Sequence, residues 1–269
     1  MKKKQNGLIK KVLSVVVLLA VGITVPFIQF ESSVSATMVP RYNALQSMTN
    51  MKNAYWVADY PTYPYTYVTN GFVYSNAWYF YGIPYSQTYN TSLTEFCTYY
   101  GSNYKISSKS VGIDCSTAVV YALNDAGCAI GAPTSWTTGS IITSDIANNS
   151  SFKHVGSYST FGCTTGSGII SNNTASTMYG AYANCQIGDI LVHNDSAGAH
   201  AIMVTGKSIT YNSNGTPSSN STITYIDQGQ GNLDTSRSSW STGTYALSTL
   251  LAKKYIPITT SYFITTDPA

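Results

Sequence analysis

Charge is scarce in this 269-residue chain, at 9% of residues against roughly 25% in an ordinary soluble domain. The formal net charge of +3 overstates even that, because Lys2, Lys3, Lys4, Lys10 and Lys11 all lie in the first 36 residues. From Thr37 onward nine basic residues face ten acidic ones. Nucleic acid and anionic membrane surfaces require clustered Lys/Arg, so neither is expected as a partner, and phosphate-rich substrates are disfavoured for the same reason. Histidine is almost missing, with three in all. No His-x-His, His-Glu-x-x-His or Cys-x-x-Cys spacing occurs, which removes the usual zinc frameworks; no metal and no cofactor is expected. Internal repeats are lacking too. The five cysteines are too sparse for a disulfide scaffold in a chain this long. Their odd number leaves one thiol over, and the pairing of Cys97, Cys128, Cys163 and Cys185 stays open.

Hydroxyls stand in for the missing charge. After residue 36 there are 63 Ser and Thr, and all 23 tyrosines fall there as well. Disorder needs low hydrophobicity with high net charge; here 43% of residues are hydrophobic. A chain of this size forms one large domain or two small ones and buries roughly 70–75% of its unfolded surface.

The beginning reads as an export signal. Met1 to Lys11 is basic, Val12 to Ile28 is apolar, and Val34-Ser35-Ala36 supplies small residues for cleavage. An uncleaved anchor is the alternative, but Pro26 and the Val-Ser-Ala sequence argue against it. Residues 1–36 are therefore expected to be a signal peptide, and the exported protein to begin at Thr37 with no further membrane-spanning run.

Residues 37–75 form a helical and Tyr/Pro-rich lead-in. Spacing at three and four residues predicts a helix over 41–58. Residues 60–85 are too proline-broken for one helix and read either as an ordered loop or as a carbohydrate-facing aromatic surface. Ser92-Leu93-Thr94-Glu95 is a capping box for a short helix through Tyr100. Asp114-Cys115-Ser116-Thr117 opens a helix with Ala118, Val119, Ala122 and Leu123 on its apolar face and Gly127 at its end. Residues 129–184 are Ser/Thr/Asn/Gly-rich and read as a long insertion with patchy structure. Asp189–His193, His200–Thr205, Thr222–Asp227 and Tyr255–Phe263 read as strands, 212–220 as a turn, and Ala246–Lys254 as a helix. Helices first and an antiparallel strand series after give an α+β fold.

Cys115 stands at a helix start, where partial positive charge and open N–H groups favour a thiolate and can bind an oxyanion. His200 begins the strand His-Ala-Ile-Met-Val after a glycine-containing turn, where a base is held rigidly yet partly exposed. Asp227 and Gln228 end the next strand on opposite faces, so only one can orient the imidazole; Asp227 is the stronger candidate. If those two strands pair antiparallel, the start of one lies beside the end of the other. His200 and Asp227 are then neighbours, and Cys115 joins them if its helix packs on the sheet.

These pieces resemble the NlpC/P60 cysteine peptidases in sequence order: Gly82-Ile83-Pro84-Tyr85, then Gly112-Ile113-Asp114-Cys115-Ser116, Ile187-Gly188-Asp189-Ile190-Leu191, His200-Ala201-Ile202-Met203-Val204 and Tyr225-Ile226-Asp227. The resemblance covers roughly 76–263, and it implies a papain-like catalytic domain over 76–269 that hydrolyses peptide bonds in bacterial peptidoglycan stems. It implies Cys115 as nucleophile, His200 as base and Asp227 at the third polar position. Tyr85, Asp114 and Ser116 match positions that in some members help bind the amino end of a stem peptide. Thr117 stands where the family usually has glycine, and 85 positions separate Cys115 from His200 because of the 129–184 segment. The sequence thus points to a secreted thiol hydrolase of peptidoglycan peptides. An amidase or acyltransferase on another acyl substrate, and a non-catalytic wall-binding surface protein, are the rival readings.

Overall fold

The computed structural model describes residues 38–58, 79–106, 111–146, 151–196, 198–229 and 238–263, which belong to one unit, Thr37–Ala269. The expected signal peptide and residues 60–78 of the Tyr/Pro stretch lie outside the described residues.

Helix α1 (Arg41–Asn53) starts directly after the extended Pro40. It stops earlier than the expected 41–58, because Tyr55–Ala58 forms strand β1. Tyr, Trp and Val in a row favour a pleated surface over another helical turn. Strands β2 (Tyr79–Tyr81) and β3 (Lys105–Ile106) flank β1 in a three-stranded sheet, β2 antiparallel and β3 parallel to it. Between them lies α2 (Leu93–Thr98), whose Ser92 hydroxyl accepts the Glu95 N–H at 3.1 Å.

Helix α3 (Cys115–Asp125) follows its sequence signals closely. Asp114 caps it, and Gly127 adopts φ +103° just past its end, a left-handed conformation that glycine takes at low cost.

The 129–184 segment is not an insertion with patchy structure. It holds α4 (Thr138–Thr143), β4 (Phe152–His154), α5 (Gly166–Ser171) and α6 (Ala175–Asn184). Thr137, Thr165 and Thr174 cap those three helices through their hydroxyls. Hydroxyl-rich composition, read as loop, here supplies helix starts. Ile141, Ile142, Phe152, Ile169, Met178 and Tyr182 from this segment are buried in the core.

The main sheet contains β5 (Ile190–Asp195), β6 (Gly198–Ser208), β7 (Thr222–Gln228), β8 (Trp240–Ala246) and, after α7 (Leu247–Ala252), β9 (Ile256–Thr260). Its order is β4-β9-β5-β6-β7-β8, with every pairing antiparallel. β8 was not anticipated from the sequence. The architecture is α+β. Ala201 to Val204 are all fully buried, so β6 is covered on both faces, which accounts for its unbroken apolar run. α3 packs on α1, β6 and β7.

The lead-in helix is tied into this unit by a buried ion pair. Arg41 Nη1 donates to Asp189, and Nη2 donates to the Thr259 hydroxyl at 3.3 Å. Burial raises the Asp189 carboxyl above its ordinary range, while the Arg41 charge and bonds from Thr259 and the Gln186 N–H pull it back. Arg41→Leu leaves that carboxylate buried without its cation, an arrangement that costs about 3–5 kcal/mol. A carboxyl raised on folding loses its contribution to stability as pH rises through the folded value. The deficit of the variant, read from urea unfolding, is therefore expected to be larger at pH 7 than at pH 4.5.

Candidate active site

The thiol is set by a cap and a laced loop. Asp114 Oδ1 accepts the Thr117 N–H at 2.7 Å and the Ser116 hydroxyl at 2.9 Å, making Cys115 the first residue of α3. Thr117 is buried, and its hydroxyl donates to Asn90 Oδ1 at 3.1 Å. Thr117 therefore fastens the loop beside the cap. Upstream, the Ile113 N–H donates to the Pro84 carbonyl at 2.9 Å, and Tyr85 bridges Ile113. Tyr85 is thereby held next to the thiol. Burial raises its phenol, and the negative charges of Cys115 and Asp114 raise it further.

The segment leading to Tyr85 docks on the ends of β7 and β8. The Ile83 carbonyl accepts from Gln228 Nε2 at 3.1 Å, Trp240 Nε1 at 2.8 Å and the Ser239 hydroxyl at 3.3 Å. Gly82 has φ +75°, and a Cβ there would fall 2.1 Å from the Trp240 ring, so only glycine permits this approach. Gln228, the other candidate for the third position, is committed to this docking and fully buried.

His200 and Asp227 meet through register. β6 and β7 pair Ile202 with Asp227. His200, two residues before Ile202, shares the Asp227 face as its diagonal neighbour. His200 Nε2 lies 2.7 Å from Asp227 Oδ2. Cys115 is the other group that acts on the imidazole; with Nε2 turned to Asp227, Nδ1 is the nitrogen left for it. Burial alone would lower the imidazole. The hydrogen bonds and charges of Asp227 and Cys115 outweigh it and push His200 up to about 10. An imidazolium held beside a cysteine is the partner that a thiolate nucleophile needs.

The other thiols differ. Burial pushes Cys128 up to about 11 and Cys185 well above the ordinary thiol range, so both stay protonated at neutral pH. All five cysteines are unpaired, and Cys97 is exposed. His154 is remote from this cluster, with Nε2 donating to the Ile142 carbonyl at 3.0 Å.

Two further neighbours surround the His200–Asp227 pair. Ser241, opposite Asp227 on β8, donates its hydroxyl to Asp227 Oδ1 and fixes the carboxylate from the side away from the imidazole. His193 stands directly across from His200, ring centroids 6.4 Å apart, with its edge toward Tyr255. Burial and the His200 charge hold His193 below its ordinary value, so it stays neutral beside the charged partner. Ser241→Ala is expected to lower the rate of any His200-dependent reaction roughly tenfold or more, about the effect of one lost hydrogen bond to a charged group, and to leave substrate KM unchanged.

Among the described residues no group of three His, Cys, Asp or Glu is placed to hold a metal ion. No helix among them is long and apolar enough to cross a membrane. Compared with known proteins, the chain matches no family model, no curated protein and no solved structure.

Proposed function

We propose that the protein is a secreted cysteine hydrolase with a papain-like active site, cleaving amide bonds in peptidoglycan stem peptides through a thioester acyl-enzyme. One observation carries the reading: a single imidazole hydrogen-bonds a carboxylate on the neighbouring strand and feels the influence of a thiol at a helix start. The thiolate of Cys115 attacks the scissile carbonyl carbon and forms a C–S bond. The resulting oxyanion is held by N–H groups of the first turn of α3, which lies where the dipole is positive. His200 gives its proton to the leaving nitrogen, the C–N bond breaks and the amine departs. The neutral imidazole then takes a proton from water, whose oxygen attacks the thioester, and the thiolate is restored.

The substrate class is supported by the order of motifs and by the surroundings of the thiol. Asp114 brings negative charge, Tyr85 a hydroxyl and Ser116 a second hydroxyl beside Cys115, a set suited to the ammonium of a free amino end. The test is digestion of defined muropeptides followed by mass spectrometry. The expected products are two peptides whose masses sum to the substrate plus one water, with a new amino terminus within the stem. New reducing sugar ends without peptide cleavage, or no cleavage of any muropeptide, would overturn the proposal. Transfer of the acyl half to an added amine in preference to water would favour the acyltransferase reading.

A further inference from the structure

The small sheet presents an aromatic surface that the chemistry at Cys115 does not use. In β1 and β2, Trp56 and Phe80 pair across the strands and are buried, their rings 5.2 Å apart. Alternation turns Tyr55, Tyr79 and Tyr81 to the opposite face, where they are 37%, 54% and 52% exposed. Tyr104, 44% exposed, joins them from the turn before β3. The Tyr55 ring lies 4.3 Å from Tyr104 and 6.2 Å from Tyr79, tilted by 42° and 50°. The rings thus spread over the face instead of stacking flat on one another.

The backbone is bent to keep Tyr104 there. Asn103 and Tyr104 are consecutive left-handed residues, at φ 59° and 58°, a conformation that costs a bulky side chain roughly 1–3 kcal/mol and persists where surrounding structure over-determines it. The neighbouring Tyr104 hydroxyl pushes the Tyr55 phenol up to about 12.

From this surface we infer that Tyr55, Tyr79, Tyr81 and Tyr104 form a binding platform for a neutral polysaccharide, an uncharged N-acetylhexosamine chain. A pyranose offers an apolar C–H face and a rim of hydroxyls, and a phenol ring matches both with an apolar body and a polar tip. The large exposed side chains on this face are all tyrosines, so the hydroxyl rim is matched at every ring. A nucleic-acid stacking surface would need a cationic groove; nine basic residues against ten acidic ones after residue 36 do not supply it.

Position supports the same occupant. Tyr85 follows the end of β2 at Tyr81 by four residues, through the bend at Gly82, at most about 14 Å away along the chain. A sugar strand on the platform would hold an attached peptide near the thiol. That link rests on the proposed function; the platform itself does not.

The experiment titrates the full exported chain with chitohexaose by calorimetry, using wild type, Tyr79→Ala/Tyr81→Ala and Tyr79→Phe/Tyr81→Phe. Chitohexaose has no stem peptide, so the result is independent of any hydrolysis. Wild type is expected to bind, the Ala pair to lose roughly tenfold or more in affinity, and the Phe pair to keep most of it. Absence of wild-type binding, or equal binding by the Ala pair at an unchanged melting temperature, overturns the proposal. So does a concentration-dependent dimer in sedimentation that the Ala pair abolishes, since the face would then be a self-association surface. If the Ala pair does not fold, equal loss of binding in the well-folded Phe pair overturns the ring-stacking basis.

Discussion

Cys115→Ala is expected to abolish stem-peptide hydrolysis, by roughly 10⁶-fold in kcat, the scale seen when an activated nucleophile is removed and only binding and oxyanion donors remain. The fold is expected to survive. Cys115 is the first residue of its helix, and the cap that starts the helix belongs to Asp114 and Thr117, which the substitution leaves in place. The loss of one small sulfur-bearing group should move Tm by only a few degrees, about 1 kcal/mol in a domain of this size. The other cysteines provide the contrast. Cys97→Ala removes an exposed thiol, and Cys128→Ala and Cys185→Ala remove thiols that burial keeps protonated. All three variants should retain activity. Muropeptide digestion and thermal melts of the four variants check this together; activity in Cys115→Ala, or its loss in Cys97→Ala, contradicts it.

Asp227→Asn should cost less, about 10²-fold in kcat, and should change the shape of the pH profile. In the proposed mechanism the imidazolium, pushed up to about 10, would protonate the leaving amine, so kcat/KM should fall as pH rises through that value. Asn keeps the volume at position 227 but removes the negative charge that stabilises the imidazolium. Burial, which lowers His200, is then opposed by Cys115 alone. The basic limb of the profile must therefore move to lower pH. A profile measured between pH 5 and 11 whose basic limb stays in place would show that Asp227 does not control the His200 proton. A merely structural role for Asp227 would lower the amplitude without moving the limb.

The sequence was most readable where one local rule decided the outcome. Asp114, Cys115 and Gly127 mark the two ends of α3 through capping alone. The apolar runs from His200 and Thr222 specify strands, and antiparallel pairing of those strands puts His200 beside Asp227. The choice between Asp227 and Gln228 needed one further fact, that the Gln228 side is occupied by the Ile83 carbonyl. Nothing in the local sequence around residue 228 announces a partner 145 positions away. The 129–184 segment misled because Ser, Thr, Asn and Gly dilute helical periodicity, although Thr137, Thr165 and Thr174 stand as caps. In β1, the aromatic residues after Asn53 continued the helical spacing of α1 by coincidence, and cross-strand pairing with Tyr79–Tyr81 decided the matter. Ser241 was hidden for a similar reason. Trp-Ser-Thr-Gly-Thr lacks apolar alternation, and β8 exists because β7 offers it an edge to pair with.

A covalent intermediate at one sulfur is the central step of the proposed reaction. Mixing the protein with excess stem peptide, quenching in acid within the first turnover and measuring intact mass should reveal a fraction of the chain heavier by the acyl half of the substrate. Proteolytic mapping should place that added mass on the peptide containing Cys115, and the adduct should be absent from Cys115→Ala. Hydrolysis without any adduct in wild type or in the slowed Asp227→Asn variant, or an adduct on another residue, would contradict the assignment of Cys115 as the nucleophile.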